Sequence, residues 1–313
     1  MFASIFSLGV VQTALELGCI YGLVALALFI SYSMLNIADL STDGCFTLGC
    51  AVGCQVAITC GNPFLALLAA MAAGVCSGFI TAFLQTQLGV ESIMAGIIVN
   101  TGLYTINLAA MGFSSSLSLV KSDTIFTLFK ANFGTLGSWY TFLIVLAFAI
   151  VIGAVLVFFF KTNLGLSIRA TGDNAAMVRA SSINPAATIT IGLCISGALT
   201  GLSGGLLGQY QKSADIQSGT GMVTIALASL IIGETLIGKK SMGVRVIAAV
   251  VGSCLYRFII AISLRFNVPA SALKLISALI VAIAIASPAV KEKINFAKKR
   301  HAAKVAHKKQ GVA

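Results

Sequence analysis

The long uncharged apolar runs of this chain constrain its fold more than any other feature. Several of these runs reach 18 residues or more, which lets an α-helix cross a hydrocarbon layer about 30 Å thick. Only 9% of the 313 residues are charged, whereas a soluble domain carries roughly 25%. A membrane β-barrel would instead show alternating segments of about ten residues. We therefore expect an all-α integral membrane protein, a polytopic bundle of about 8–10 transmembrane helices.

The predicted spans leave no room for a soluble domain of useful size. We expect nine of them, at 8–30, 38–59, 63–84, 92–112, 140–160, 187–208, 218–238, 244–263 and 270–288. Residues 1–290 are therefore predicted to form a single transmembrane domain that contains a polar loop at about 162–186. Residues 291–313 are predicted to form a basic cytoplasmic tail.

The basic residues predict the orientation of the chain. The net charge is +11, and eight of the twenty Lys and Arg residues follow Pro288. The positive-inside rule places such a tail in the cytoplasm, near anionic lipid headgroups. We therefore expect a multi-pass protein of the cell membrane with a cytoplasmic C-terminus, rather than a nucleic-acid-binding arm. Counting back along the spans puts Arg169 and Arg179 inside, and Lys130 and the N-terminus outside.

A short polar segment at 169–186 interrupts two apolar spans. Asp173 is the expected N-cap of a helix at about 174–181, and the Asn184-Pro185 step ends that element. Pro185 fits the first turn of the next span. We expect Arg169 and Arg179 to face water or a partner. The residues expected to pack are Ala175, Met177, Val178 and Ala180. The alternative is an ordinary cytoplasmic loop with positive-inside arginines.

Glycines recur every four residues in the span that follows, at Gly197, Gly201 and Gly205. Such small-xxx-small rows let helix backbones approach closely in lipid, where packing drives association. We expect these three residues to lie in a helix–helix contact. This pattern occurs in every class of helical membrane protein.

A polar interruption between the first two spans contains Asn36, Asp39 and Asp43. Ionisable residues within a membrane default to a functional hypothesis. Ser41 or Thr42 is expected to cap a half-helix whose N–H groups favour an anionic group, while the aspartates meet an ammonium. We name Asn36, Asp39 and Asp43 as candidates for a translocation pathway. The alternative is a solvated turn with a structural role.

Glu16 is a further pathway candidate because it lies well inside the first span. A charge at the centre of a span costs about 2.5–3.5 kcal/mol, so it needs a partner or a wet cavity. An interhelical pair is the alternative for Glu16. Asn100, Asn107 and Gln209 are interpreted as polar contacts between helices rather than as solute ligands.

Motifs for catalysis and for metal or nucleotide binding are not found. The eight cysteines form no CxxC pair, and both histidines lie in the basic tail, so we expect no metal. Gly233–Lys240 approaches a P-loop, but Lys240 stands where the motif needs a hydroxyl for Mg²⁺. No HExxH is present. We therefore expect a protein that is not an enzyme, has no cofactor, and draws energy from a gradient or a separate chain.

The order of motifs resembles the permease family of ABC importers for branched-chain amino acids, ribose and autoinducer-2. The resemblance covers nearly the whole chain, and the glycine block is its most specific part. The matching segments are Tyr21–Leu28, Asn36–Gly44, Leu48–Ala51, Arg169–Asn174, Ile183–Asn184 and Ile195–Gly204.

This resemblance implies a permease subunit that forms the pathway for a small solute, an amino acid being favoured over a sugar or nucleoside-like solute. The implied partners are a cytoplasmic ATPase, which would bind ATP and Mg²⁺, an extracellular or periplasmic binding protein, and a second permease copy, with a homodimer favoured. The polar loop would then contain a cytoplasmic coupling helix that docks on the ATPase. Its implied coupling residues are Arg169, Asp173, Asn174, Met177 and Arg179.

Two departures from the family pattern indicate a divergent branch. Ser182 stands where members usually have glycine, and Gly233-Glu234 replaces a Gly-Gly pair. The sequence is in these respects similar to permeases paired with tryptophan- or tyrosine-type binding proteins. A stand-alone ion-coupled secondary transporter is the alternative function, although the chain shows no clear internal repeat.

Overall fold

Helices make up most of the described chain. The computed structural model describes residues 8–120, 122–133, 139–238 and 241–265, with a few isolated positions between 275 and 286. The helices are α1 (Leu8–Leu28, continued by the π-helical turn Phe29–Met34), α2 (Thr42–Cys60), α3 (Pro63–Thr86), α4 (Ser92–Ala110), α5 (Ile125–Phe133), α6 (Tyr140–Phe159), α7 (Asn163–Asp173), α8 (Ala175–Ala180), α9 (Pro185–Gln211), α10 (Met222–Ile237) and α11 (Met242–Arg265).

Seven helices within the described residues are long and apolar enough to cross a membrane, which confirms the polytopic all-α fold. They correspond to seven of the nine predicted spans. The predicted span at 218–238 is wrong at its start, because its helix α10 begins at Met222 and is shorter than a full crossing. The predicted span at 270–288 and the tail at 291–313 lie outside the continuously described residues.

The direction of the helices defines two ends of the bundle. α1 is antiparallel to α9, because Ser203 donates to the Ile20 carbonyl and Ser196 donates to the Ala27 carbonyl. The N-terminus of α1 therefore lies beside the C-terminus of α9. The opposite end of the bundle carries α7 and α8, which we call the elbow.

A glycine contact joins α2, α3 and α9 in the interior. A Cβ built on Gly201 would collide with the backbone of α3 at Ala70 and Gly74, and one on Gly197 would collide with Gly74. A Cβ on Gly205 would lie 2.8 Å from the Ala70 Cβ. Backbone therefore lies directly against backbone, and a side chain at these positions would force the helices apart.

α10 begins inside the bundle rather than at its surface. Strand β2 (Ser213–Asp215) follows α9 and pairs antiparallel with β1 (Ser116–Ser118). The chain then runs inward along α2, and Gly219 donates its N–H to Thr47. This part of α2 is level with the middle of the bundle, since the ring of Phe46 stacks on Tyr21 with centroids 6.0 Å apart. We call residues 213–221 the re-entrant segment.

Candidate functional site

The elbow consists of two helices separated by a single residue. Asn174 ends α7 and also caps α8, where its Oδ1 accepts from the N–H groups of Ala176 and Met177 at 3.1 and 3.0 Å. The expectation that Asp173 is the N-cap is therefore wrong. Asp173 is the last residue of α7, a helix that the sequence analysis did not predict. The amide oxygen of Asn174 takes the capping role one position later.

The elbow presents an exposed surface at its end of the bundle. Arg169, Asp173, Asn174, Met177 and Arg179 are all exposed. Of the four residues expected to pack, Val178 is buried, whereas Met177 is 67% exposed and the alanines at 175 and 180 are exposed. The six-residue helix α8 buries one side chain and presents most of the others outward. The result is a basic surface with an apolar Met177 knob.

The elbow is nevertheless held firmly by the bundle. A Cβ on Gly172 would lie 2.8 Å from the carbonyl carbon of Met34 and closer still to its oxygen, so α7 touches the π-helical turn of α1 backbone to backbone. The Thr171 and Thr188 hydroxyls share a buried 2.8 Å hydrogen bond that joins α7 to α9. The elbow is therefore attached directly to α1 and α9.

Ser182 closes the elbow in a left-handed conformation. Its φ is 61°, a region in which residues with a Cβ are strained and glycine is not. Asn184 then caps α9 by accepting from the Ala186 N–H at 3.0 Å, and Pro185 begins that helix. Ser182, where the sequence departs from the family pattern, therefore occupies the position of this turn that favours glycine.

Asp43 binds the start of α10. Its carboxylate accepts from the N–H of Gly221 at 3.0 Å and from that of Val223 at 2.8 Å. A carboxylate at a helix N-terminus satisfies unpaired N–H groups and complements the helix dipole. Asp43 thus holds the re-entrant segment against α2.

Asp39 and Asn36 lie in the connection between α1 and α2, and they have different environments. Asp39 is buried and accepts from the backbone N–H and the hydroxyl of Ser41 at 2.9 and 2.6 Å. Burial raises the pKa of the Asp39 carboxyl, although both hydrogen bonds from Ser41 oppose the shift. The expected cap by Ser41 or Thr42 is not made: both hydroxyls donate to Asp39. Asn36 is exposed, with φ at 56°.

Glu16 lies at the end of the bundle opposite the elbow. Its carboxylate accepts from Tyr210 and Gln12, each at 2.8 Å. Glu16 borders a cavity of about 750 Å³ that Lys130 and Lys212 also line. The four pathway candidates are therefore not brought together: Glu16, Asp43 and Asn36 lie at three different levels of the bundle.

A polar chamber of about 280 Å³ adjoins Asp43, between α2, α4 and the re-entrant segment. Its polar lining includes Thr47, Asn100, Tyr104 and Asn107. Asn107 donates its Nδ2 to the Gly44 carbonyl at 3.1 Å, which fits its predicted role between helices. The sequence analysis did not assign Asn100 and Asn107 to a site. Their seven-residue spacing, which places both on one helix face, is the signal that could have done so.

A partly buried ion pair connects three helices near the elbow. Glu234 of α10 and Arg245 of α11 are 2.9 Å apart, and Arg245 also donates to Ser33. The guanidinium lies 5.0 Å from the centre of the Phe29 ring. Glu234, which departs from the Gly-Gly pair of the family pattern, thus has a charge partner on α11.

Comparisons with known proteins find related sequences. The family model described as "Branched-chain amino acid transport system / permease component" matches residues 10–285. A tyrosine transport system permease protein of Clostridioides difficile is 33% identical, over 84% of this chain and 85% of its own length. A probable branched-chain amino acid transport permease protein LivH of Methanocaldococcus jannaschii is 27% identical, over 71% and 74%. An uncharacterised protein of Rickettsia prowazekii is 31% identical, over 90% and 98%.

No solved structure matches the chain. The family model covers nearly all of the described residues, including the elbow, the glycine contact and the re-entrant segment. The predicted resemblance to this permease family is therefore confirmed. The chain is a multi-pass membrane protein that belongs to the branched-chain amino acid transport system permease family.

Proposed function

We propose that this chain is the membrane subunit of an ATP-driven amino acid importer and that the elbow is its coupling element. The observation that carries the proposal is the combination of an exposed basic surface with rigid attachment to α1 and α9. A coupling element must be accessible to the protein that drives it. It must also be fixed to the helices that move.

The elbow fits a groove on a cytoplasmic ATPase subunit. Met177 supplies an exposed apolar knob, and Arg169 and Arg179 supply charge on either side of it. Methionine adapts well to apolar pockets, and arginine is favoured in interfaces with carboxylates. The ATPase would bind ATP and Mg²⁺, and this chain would supply no catalytic group.

The solute is proposed to be an amino acid, as in the transport system named for the Clostridioides difficile relative. An extracellular or periplasmic binding protein would deliver it at the end of the bundle opposite the elbow. A second copy of this chain would complete the conduit. The elbow and the C-terminus would face the cytoplasm, in accordance with the positive-inside rule.

The test is reconstitution of the full-length chain with its candidate ATPase and binding protein in proteoliposomes. We expect uptake of L-tyrosine only when ATP is hydrolysed. Arg179→Glu reverses one charge on the elbow and should abolish co-purification of the ATPase. Lys130→Glu makes the same charge change on exposed α5 at the other end of the bundle and should leave co-purification intact.

Two results would contradict the proposal. One is solute uptake by the purified chain alone when only an ion gradient is present, which would identify a secondary transporter. The other is undiminished ATPase binding by the Arg179→Glu variant together with loss of binding by Lys130→Glu, which would place the docking surface at the wrong end.

A further inference from the structure

We propose that the polar chamber beside Asp43 is a subsite for the ammonium group of the transported solute, with Asn107 as its principal acceptor. This inference rests on the proposed function, since it assigns a recognition site along the conduit of an amino acid importer. Its amide acceptors, Asn100 and Asn107, were interpreted in the sequence analysis only as helix contacts, whereas Asp43 was a pathway candidate.

The strongest evidence is an unsatisfied acceptor in a buried position. Asn107 is only 2% exposed and lines the chamber. Its Nδ2 donates to the Gly44 carbonyl at 3.1 Å, and this bond fixes the orientation of the amide, because a carbonyl accepts only from nitrogen. Within the described residues the Asn107 Oδ1 then has no hydrogen-bond partner. Buried polar atoms are nearly always paired, so this oxygen indicates a missing donor.

A second amide oxygen and a carboxylate lie beside it. Gly44 has no side chain, and a Cβ there would lie 2.7 Å from the Asn100 Oδ1, so the Asn100 amide occupies the space that glycine leaves. Asp43 also lines the chamber. Each of its oxygens accepts one N–H at the start of α10, and a carboxylate can accept further bonds.

The charge of the chamber favours a cation. Asp43 is negative, and the described lining residues include no Lys, Arg or His. The positive end of the α10 dipole offsets about half of one charge, which leaves an acceptor-rich and net negative space. An ammonium provides three N–H donors and a positive charge, and it therefore complements the amide oxygens and the carboxylate.

The size and position of the chamber also favour an organic solute. Its volume of about 280 Å³ is many times the roughly 30 Å³ that one water occupies in the liquid, so a bare metal ion would not fill it. The chamber is bounded by α2 at the level where Phe46 meets Tyr21, midway between the ends of the bundle. Tyr104, which is 57% exposed, lies at its rim, where the remainder of a solute could extend.

The test uses the full-length chain in lipid nanodiscs and four probes. Methylammonium and tyramine carry the ammonium, 3-(4-hydroxyphenyl)propanoate carries only the carboxylate, and sodium chloride tests a metal cation. We expect methylammonium and tyramine to bind by calorimetry, with no binding of the propanoate. Asn107→Leu removes the acceptor and should weaken tyramine binding about tenfold or more, as expected for a hydrogen bond to a charged group.

Two further variants keep the test decisive. Asn100→Leu should weaken tyramine binding in the same direction, and it gives an answer even if Asn107→Leu does not fold. Thr105→Val is the matched control, because Thr105 is an exposed residue of the same helix outside the chamber, and it should bind tyramine as the wild-type chain does.

Three outcomes would overturn the subsite: no binding of either ammonium probe, unchanged tyramine binding in the asparagine variants, or displacement of tyramine by equimolar sodium. ATP-driven uptake that persists unchanged in Asn107→Leu would also refute the subsite while leaving the proposed function intact. If tyramine binding depends on the asparagines but no ATP-driven uptake is observed, the proposed function is refuted and the subsite is retained.

Discussion

Replacement of Gly172 by alanine tests whether the elbow is coupled to the bundle through a backbone contact. The new methyl group would lie 2.8 Å from the carbonyl carbon of Met34 and 2.9 Å from the Leu35 Cα, whereas real Cβ contacts essentially never fall below 3.0 Å. The closest approach is to the Met34 carbonyl oxygen. Because all three atoms belong to the backbone, no side chain can rotate away, and α7 must separate from α1.

The cost follows from this overpacking. Forcing an extra methyl group into a close-packed contact typically costs about 1–3 kcal/mol, and a contact made by backbone atoms belongs at the upper end of that range. At roughly 2–4 °C per kcal/mol for a domain of 150–250 residues, the Tm should fall by several degrees. ATP-driven uptake should fall more steeply than stability does, because the displaced elbow no longer pushes on α1.

The measurement is thermal unfolding followed by intrinsic fluorescence, together with ATP-driven uptake in proteoliposomes. Gly243→Ala is the matched control, because Gly243 lies in α11 with no atom within 4 Å of the added methyl. That control should be neutral or gain up to about 1 kcal/mol of helix propensity. If Gly172→Ala melts and transports like the control, the elbow is not held by this contact.

Substitutions at three other features give further tests. Ser182→Gly should stabilise the chain by about 0.5–1 kcal/mol, because glycine relieves the left-handed strain; a lower Tm would contradict this. Gly201→Ala should prevent α9 from packing against α3 and should abolish membrane-inserted, monodisperse protein on size-exclusion chromatography; normal elution would refute the glycine contact. Arg245→Met should destabilise the chain by about 3 kcal/mol, because it removes the positive charge that faces the buried Glu234 carboxylate. Glu234→Leu in the same chain should restore most of this loss in a double-mutant cycle; no recovery of Tm would contradict the ion pair.

Much of the fold could be predicted because a helix that crosses lipid must be apolar along most of its length. Long apolar runs in the sequence therefore locate the membrane-spanning helices. The start of α9 followed from Asn184 and Pro185, since capping and proline chemistry act within a few residues. The start of α10 was predicted four residues too early, at 218 instead of Met222. The turns of the re-entrant segment that precede α10 are held by the bond between Gly219 and Thr47 of α2, a residue that is distant in sequence.

The candidate site was harder to predict because partners across the bundle decide the role of each polar group. Asp43 is a cap for α10 rather than a free carboxylate, and this depends on Gly221 and Val223. The amide nitrogen of Asn107 donates a hydrogen bond, whereas its amide oxygen has no partner among the described residues. No local sequence pattern distinguishes these two atoms. The Asp173 prediction failed by a single residue because Asp173 is the last residue of α7, a helix that was not predicted.

The direct backbone contacts of α9 with α2 and α3 have a mechanical consequence for a transport cycle. Helices that touch without intervening side chains cannot slide or tilt against one another without losing contact along their whole length. These three helices should therefore turn as a single rigid body, and the hydroxyls of Ser196 and Ser203 attach α1 to the same unit. Opening and closing must then occur at the periphery, where α4 and α6 leave most of their surface exposed, or between copies of the chain.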